Sequence, residues 1–206
     1  MRGPAIGGVG WMISTEASCF RVRLRSRYGR LAFRALPLVV LCTCSRLTAA
    51  DPWTLSGLLG DGNHVTRVGA EAQIPSSYAG LLGNNWSWSL SWAGDVSYWR
   101  AEGHVDSKRA LWEGGFTPII TLRHLNGTPY YLEGGIGVHL LSHVRIDERD
   151  LSTAFQFGEM LGGGINFGDR RQYGVGVRVQ HISNGGIKEP NNGITFGEIR
   201  FSYLWE

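Results

Sequence analysis

The sequence predicts an all-β fold, an eight-stranded antiparallel transmembrane β-barrel of the outer-membrane type. Three observations lead there. Period-2 alternation of side chains runs through most of residues 51–206, and nothing there carries the 3.6-residue period of an amphipathic helix. The alternation sets aromatic and aliphatic faces against faces of serine, glycine and charged residues. That suits strands with lipid outside and a polar interior better than a water-soluble core. All three cysteines (Cys19, Cys42, Cys44) precede residue 50. The remainder therefore has no disulfide to rely on, and a closed barrel in a membrane is another source of stability.

Taken in order, residues 1–50 read as an export leader, expected to be removed, and residues 51–206 as the barrel. The first fifty residues hold eight arginines (Arg2, Arg21, Arg23, Arg25, Arg27, Arg30, Arg34, Arg46) and one acid, Glu16. The basic stretch from Arg21 to Arg34 is followed by a short apolar run, Ala35 to Cys42, and a small-residue exit, Leu47-Thr48-Ala49-Ala50. The apolar run is too short to span a membrane as a helix. Without this segment twelve Lys+Arg face sixteen Asp+Glu, and the formal charge goes from +3 to −4. The pI of 8.9 thus describes a precursor and gives no argument for nucleic-acid binding.

The first strand is the weak segment Trp53 to Leu59, needed because single-chain bacterial barrels have even strand numbers. The others are expected at 64–74, 84–100, 109–124, 129–143, 153–167, 172–184 and 193–205. The clearest is the second of these. Trp86, Trp88, Leu90, Trp92, Val96 and Tyr98 share one face, and Ser87, Ser89, Ser91, Ala93, Asp95 and Ser97 the other. Trp86, Trp88, Trp92 and Trp99 are read as lipid-contacting or interfacial. In 129–143, Tyr130, Leu132, Ile136, Val138 and Leu140 alternate with Tyr131, Glu133, Gly135, Gly137 and His139. In 172–184, Tyr173, Val175, Val177 and Val179 alternate with Gly174, Gly176, Arg178 and Gln180. In 193–205, Ile199, Phe201, Tyr203 and Trp205 alternate with Glu198, Arg200, Ser202 and Leu204. Glu133, Arg178, Glu198 and Arg200 on the inner face predict ion pairs across the barrel. Eight strands enclose a space that side chains fill.

The chemistry concentrates in His181-Ile182-Ser183-Asn184-Gly185-Gly186-Ile187-Lys188-Glu189-Pro190-Asn191-Asn192-Gly193. His181 and Ser183 are two apart, so a strand presents both on one face, and they continue the outward row of Val175, Val177 and Val179. Polar side chains in a lipid-facing row are costly away from the interface unless they have a task. A serine beside a histidine is the minimum for acyl transfer, the imidazole taking the hydroxyl proton as the oxygen attacks an ester. Asn184 and the backbone N–H groups around Gly185 and Gly186 are candidate oxyanion donors. Taken alone, a bare His-x-Ser is more often a strand end running into a glycine-rich turn.

The longer pattern, His181-x-Ser183-Asn184-x-Gly186 followed by Pro190-Asn191-x-Gly193, resembles the signature of the lipid A 3-O-deacylase family, PagL. Trp112-Glu113-Gly114-Gly115 with Pro118, Leu132 to Val138, and Phe155-Gln156-Phe157 with Leu161-Gly162 resemble the same family. The terminal run Phe201-Ser202-Tyr203-Leu204-Trp205 resembles the C-terminal signature of outer-membrane barrels, with Glu206 in place of the usual final aromatic. The resemblance implies a multi-pass protein of a Gram-negative outer membrane that removes the ester-linked 3-hydroxyacyl chain at position 3 of lipid A. It implies Ser183 as nucleophile, His181 as base and Asn184 as oxyanion residue, with lipopolysaccharide and outer-membrane lipid as partners and no metal or organic cofactor. A homodimer is left open.

One position departs from the family. Its triad acid stands two residues after the glycine of Pro-Asn-x-Gly, and here that residue is Thr195, which carries no charge. The nearby carboxylates are Glu198, whose parity is inward, and Glu189 in the loop. Two other functions therefore stay open: a non-catalytic structural barrel with a degenerate site, and an esterase or phospholipase of different lipid specificity. The remaining histidines show no metal-ligand spacing, and Gly162-Gly163-Gly164 has no helix after it and reads as packing rather than a phosphate loop. Arg145, Arg149 and Lys188 are read as loop cations, solvated more readily than bound to lipid phosphates.

Overall fold

The alternating segments form a single closed wall. A computed structural model describes residues 52–102 and 109–205, so the leader expected over residues 1–50 lies outside the described residues. The strands are β1 (Trp53–Gly62), β2 (Val65–Leu82), β3 (Trp86–Ala101), β4 (Ala110–His124), β5 (Tyr130–Leu141), β6 (Arg145–Ile146), β7 (Arg149–Asp150), β8 (Phe155–Phe167), β9 (Tyr173–Ser183) and β10 (Ile194–Trp205). Eight of them make an antiparallel barrel in the order β1-β2-β3-β4-β5-β8-β9-β10, and β1 pairs with β10 to shut it. Every long strand thus has two neighbours and no edge is left open, as a lipid environment requires. The expected strands all form. The second extends beyond its expected end at residue 74, since β2 runs on through Pro75, Ser76 and Ser77 across a register shift between Pro75 and Ala79. A bulge absorbs those residues without ending the pairing.

The barrel is inside out relative to a soluble protein. Outward side chains such as Leu161 (71% exposed), Ile136 and Val177 (both 66%) are apolar, whereas Arg67 and Glu113 inside are at most 1% exposed. That contrast identifies a wall built to meet lipid. At the end carrying the termini, Trp53 stacks on Trp205, and Tyr203, Tyr173 and Phe167 continue an aromatic belt. The same end has short turns at 83–85, 125–129 and 168–172, while the opposite end carries the longer connections 142–154 and 184–193. Short turns on one side and long loops on the other is the asymmetry of outer-membrane barrels, whose long loops face outward.

Inside, two ion-pair layers fill the lumen. Arg67 donates to Asp95 (2.9 Å), Glu113 (2.9 and 3.1 Å), Gln180 (2.8 Å) and Glu198. Arg178 binds Glu71 (2.8 Å) and Glu133 (3.2 Å), while Arg200 reaches Glu71 (3.4 Å), Glu133 (3.2 Å) and the Tyr131 hydroxyl (2.8 Å). The inward Glu133, Arg178, Glu198 and Arg200 of the sequence reading all take part. Asp95, Glu113 and His139 bring ligand atoms within 4.8 Å of one another, but the Arg67 guanidinium already bonds both carboxylates. Trp99 corrects the sequence reading. Its odd parity turns it inward, fully buried, where Nε1 donates to Glu113 at 3.2 Å. It joins Val65, Leu111, Ile182, Ile194 and Phe196 in an apolar plug at the long-loop end, together with Ile146 and Leu151 from the 142–154 connection.

Candidate active site

His181 and Ser183 come last on β9, at the long-loop end. Arg178, Gln180 and Ile182 of the same strand are buried inside, so period 2 turns His181 and Ser183 outward. Strand pairing sets their neighbours. His181 stands between Thr195 on β10 and Glu159 on β8, and Ser183 stands opposite Phe157. Although it belongs to the outer row, Ser183 is only 8% exposed, because the chain folds back over it at Gly193.

Gly193 fixes the local geometry. A Cβ there would lie 2.9 Å from Ser183 Cβ, 2.9 Å from His181 Cε1 and 3.0 Å from His181 Nε2. Both side chains thus crowd one point, with the Cε1–Nε2 edge of the ring turned to Gly193. The other ring nitrogen, Nδ1, lies 2.8 Å from Thr195 Oγ1. When Nδ1 carries the proton and donates it to the hydroxyl, Nε2 is left as the acceptor a general base needs.

Glu198 and Glu189, the carboxylates nearest in sequence to position 195, have other tasks. Glu198 is inside the barrel, paired with Arg67. Glu189 accepts the Asn191 backbone N–H at 3.1 Å within its own loop. Neither stands beside His181 in the pairing of β8, β9 and β10. Position 195, outward as its parity requires, offers the imidazole a hydroxyl and no charge.

Asn184 is fully buried and organises the loop. Its Nδ2 donates to Lys188 O (2.7 Å) and Leu151 O (3.3 Å), its Oδ1 accepts Gly186 N–H (2.9 Å), and its own N–H bonds Asn191 Oδ1 (3.0 Å). That last bond holds the Asn191 amide by its oxygen and leaves Nδ2 without a protein acceptor among the described residues. The Gly185 N–H is likewise unclaimed among the described residues, and Gly185 adopts φ +64°, a conformation suited to glycine. In the sequence Asn191 is visible only as part of a motif, and nothing in its spacing sets its amide apart.

The 142–154 connection braces the same loop. Arg149 Nη1 donates to Gly193 O (3.2 Å) and Ser152 Oγ to Pro190 O (2.6 Å). Arg149 is therefore a brace as well as a loop cation. Arg145 pairs with Asp150 at 3.0 Å. The Ser152 backbone N–H and Arg145 hold the Asp150 carboxyl below the usual carboxylate range. Lys188 is exposed.

The profile of the family described as Lipid A 3-O-deacylase (PagL) matches residues 66–204. The chain is 32% identical over 145 residues to lipid A deacylase PagL of Bordetella bronchiseptica, a match covering 70% of this chain and 79% of that protein. It is 32% identical over 172 residues to lipid A deacylase PagL of Pseudomonas aeruginosa, covering 78% and 92% respectively. The crystal structure of the outer membrane enzyme PagL aligns with a TM-score of 0.64 at 22% identity, over 73% of this chain and 98% of that one, so the fold is shared.

Proposed function

The chain belongs to the lipid A 3-O-deacylase (PagL) family, and from that membership we propose that it hydrolyses the ester-linked 3-hydroxyacyl chain at position 3 of lipid A, with Ser183 as nucleophile and His181 as base. The observation that carries this reading is the 2.8 Å contact between His181 Nδ1 and Thr195 Oγ1, with His181 Nε2 and Ser183 Cβ both turned to Gly193 on the lipid-facing wall; with the ring proton on Nδ1, Nε2 is the free acceptor. The site lies at the long-loop end, where the outer leaflet and its lipopolysaccharide meet the barrel. Substrate arrives sideways through the membrane.

In the first step Ser183 Oγ attacks the ester carbonyl carbon while its proton passes to His181 Nε2. The carbonyl electrons move to oxygen. Collapse breaks the ester C–O bond, and Nε2 returns the proton to the departing sugar oxygen. Water, activated by the same imidazole, then releases the acyl group from Ser183. For the oxyanion, Asn191 Nδ2 and Gly185 N–H are the available donors, and Asn184 holds both in place through its four hydrogen bonds. This gives Asn184 a role one bond removed from the one its place in the motif implies. No metal or organic cofactor enters the scheme.

The test is release of 3-hydroxy fatty acid from lipid A by the purified barrel in mixed micelles. Ser183→Ala and His181→Ala should each lower the rate by roughly 10⁴-fold or more. Undiminished release by Ser183→Ala would overturn the assignment. Thr195 favours a second reading, a barrel whose site has decayed, and wild-type protein that releases no acyl chain supports it.

A further inference from the structure

Three strands contribute to one outward row, Glu159 on β8, His181 on β9 and Thr195 on β10. Directly opposed residues of an antiparallel pair have Cβ atoms about 5 Å apart, within reach of a glutamate carboxylate. Glu159 is exposed on a strand whose other outward residues include Phe155, Phe157, Leu161 and Ile165. A charge in such a row is unfavourable in a membrane and marks a functional position. The barrel's ion pairs do not explain it. Glu71, Asp95, Glu113, Glu133 and Glu198 are all bound to Arg67, Arg178 or Arg200, whereas Glu159 has no ion pair or side-chain hydrogen bond among the described residues.

What His181 lacks is a negative charge. Thr195 Oγ1 fixes the ring's orientation at 2.8 Å, but a hydroxyl does not offset the positive charge that forms as Nε2 takes the serine proton. We propose that Glu159 supplies that charge from β8, in place of the acid missing from β10, and so steadies the His181 imidazolium while Ser183 attacks. Thr195 and Glu159 thereby divide between two strands the orienting and the charge-balancing tasks that one carboxylate performs in a triad. The serine proton goes only to His181 Nε2 and from there to the leaving oxygen, and Glu159 exchanges none. It is a positioning residue, acting on substrate only through His181. The proposal rests on the reading of His181 and Ser183 as a hydrolytic pair.

The test measures kcat and KM for lipid A deacylation by the full barrel in wild-type, Glu159→Gln, Glu159→Asp, Thr195→Glu and Glu159→Gln/Thr195→Glu forms, with folding checked by heat-modifiable electrophoretic migration. Glu159→Gln should lower kcat by roughly 10²-fold with KM changed less than about 2-fold, and Glu159→Asp should retain most of kcat. Thr195→Glu should restore the glutamine variant, because it returns a carboxylate to Nδ1. Unchanged kcat in Glu159→Gln, a change confined to KM, or a double variant as slow as Glu159→Gln would each overturn the proposal. Inactive wild type with active Thr195→Glu would overturn it while leaving the reading of His181 and Ser183 intact. Inactivity of every form would remove both.

Discussion

A methyl group at position 193 would stand 2.9 Å from Ser183 Cβ and 2.9 Å from His181 Cε1, closer than side-chain carbons pack. Gly193 is outside the left-handed region, so space rather than backbone conformation requires glycine there. Gly193→Ala should push the imidazole or the hydroxyl aside and lower deacylation by roughly 10²-fold, with heat-modifiable migration unchanged, since misplacement of about 1 Å costs that much. Thr195→Val keeps the shape and removes the acceptor for Nδ1–H. The ring then loses its fixed tautomer, and kcat should fall by roughly 10-fold to 10³-fold. Equal kcat in Thr195→Val and wild type would show that the hydroxyl has no part in orienting the base. At this scale the sequence was informative about His181, Ser183 and Thr195, because two-residue spacing gives facing directly. It was silent about Glu159, which is distant in sequence from His181 and meets it only through the register of β8 on β9.

Two connections operate as one element at the long-loop end. The 142–154 segment sends Ile146 and Leu151 into the apolar plug and bonds the 184–193 loop through Leu151 O, Ser152 Oγ and Arg149 Nη1. Asn184 is the joint between them. Asn184→Ala would take away the partner of the Lys188 carbonyl and of the Gly186 N–H, and one of the three donors to the Leu151 carbonyl, at about 0.5–1.5 kcal/mol for each hydrogen bond lost. The loop should become accessible to protease while the strands stay resistant, and acyl release should fall with it. Protease resistance equal to wild type would show that the joint is not structural. Strands were legible in the sequence wherever alternation ran on. The second half of β2 was not, because Pro75-Ser76-Ser77 has the composition of a turn although the chain passes through it with a bulge. The β6–β7 hairpin has two residues per strand, too few to show any period. The aromatic character of Trp99 suggests lipid, but its odd position turns it inward, and parity gives the right side.

The whole molecule is an apolar wall around a charged filling. Arg67 serves Asp95, Glu113 and Glu198 at once with no solvent access. Arg67→Met would leave those carboxylates buried without their cation, which for a buried pair costs about 3–5 kcal/mol. The guanidinium unfolding midpoint should drop accordingly, and a midpoint equal to wild type would show that the network relaxes freely. The alternation that revealed the barrel also revealed part of this filling, Glu133, Arg178, Glu198 and Arg200. The hub at Arg67 depends on which strands face across the lumen, and one strand's period does not contain that. The wall accounts for the remaining requirement of the proposed reaction. A lipid substrate needs no entry into the barrel if nucleophile and base already stand on its outer surface beside the outer leaflet.

That central claim is tested most directly by mass spectrometry of lipid A extracted from Gram-negative cells expressing the wild-type chain or its Ser183→Ala variant at matched levels in the outer membrane. Wild type should yield lipid A lighter by one ester-linked 3-hydroxyacyl chain, and Ser183→Ala should yield the unmodified mass. Identical lipid A in both would contradict the account.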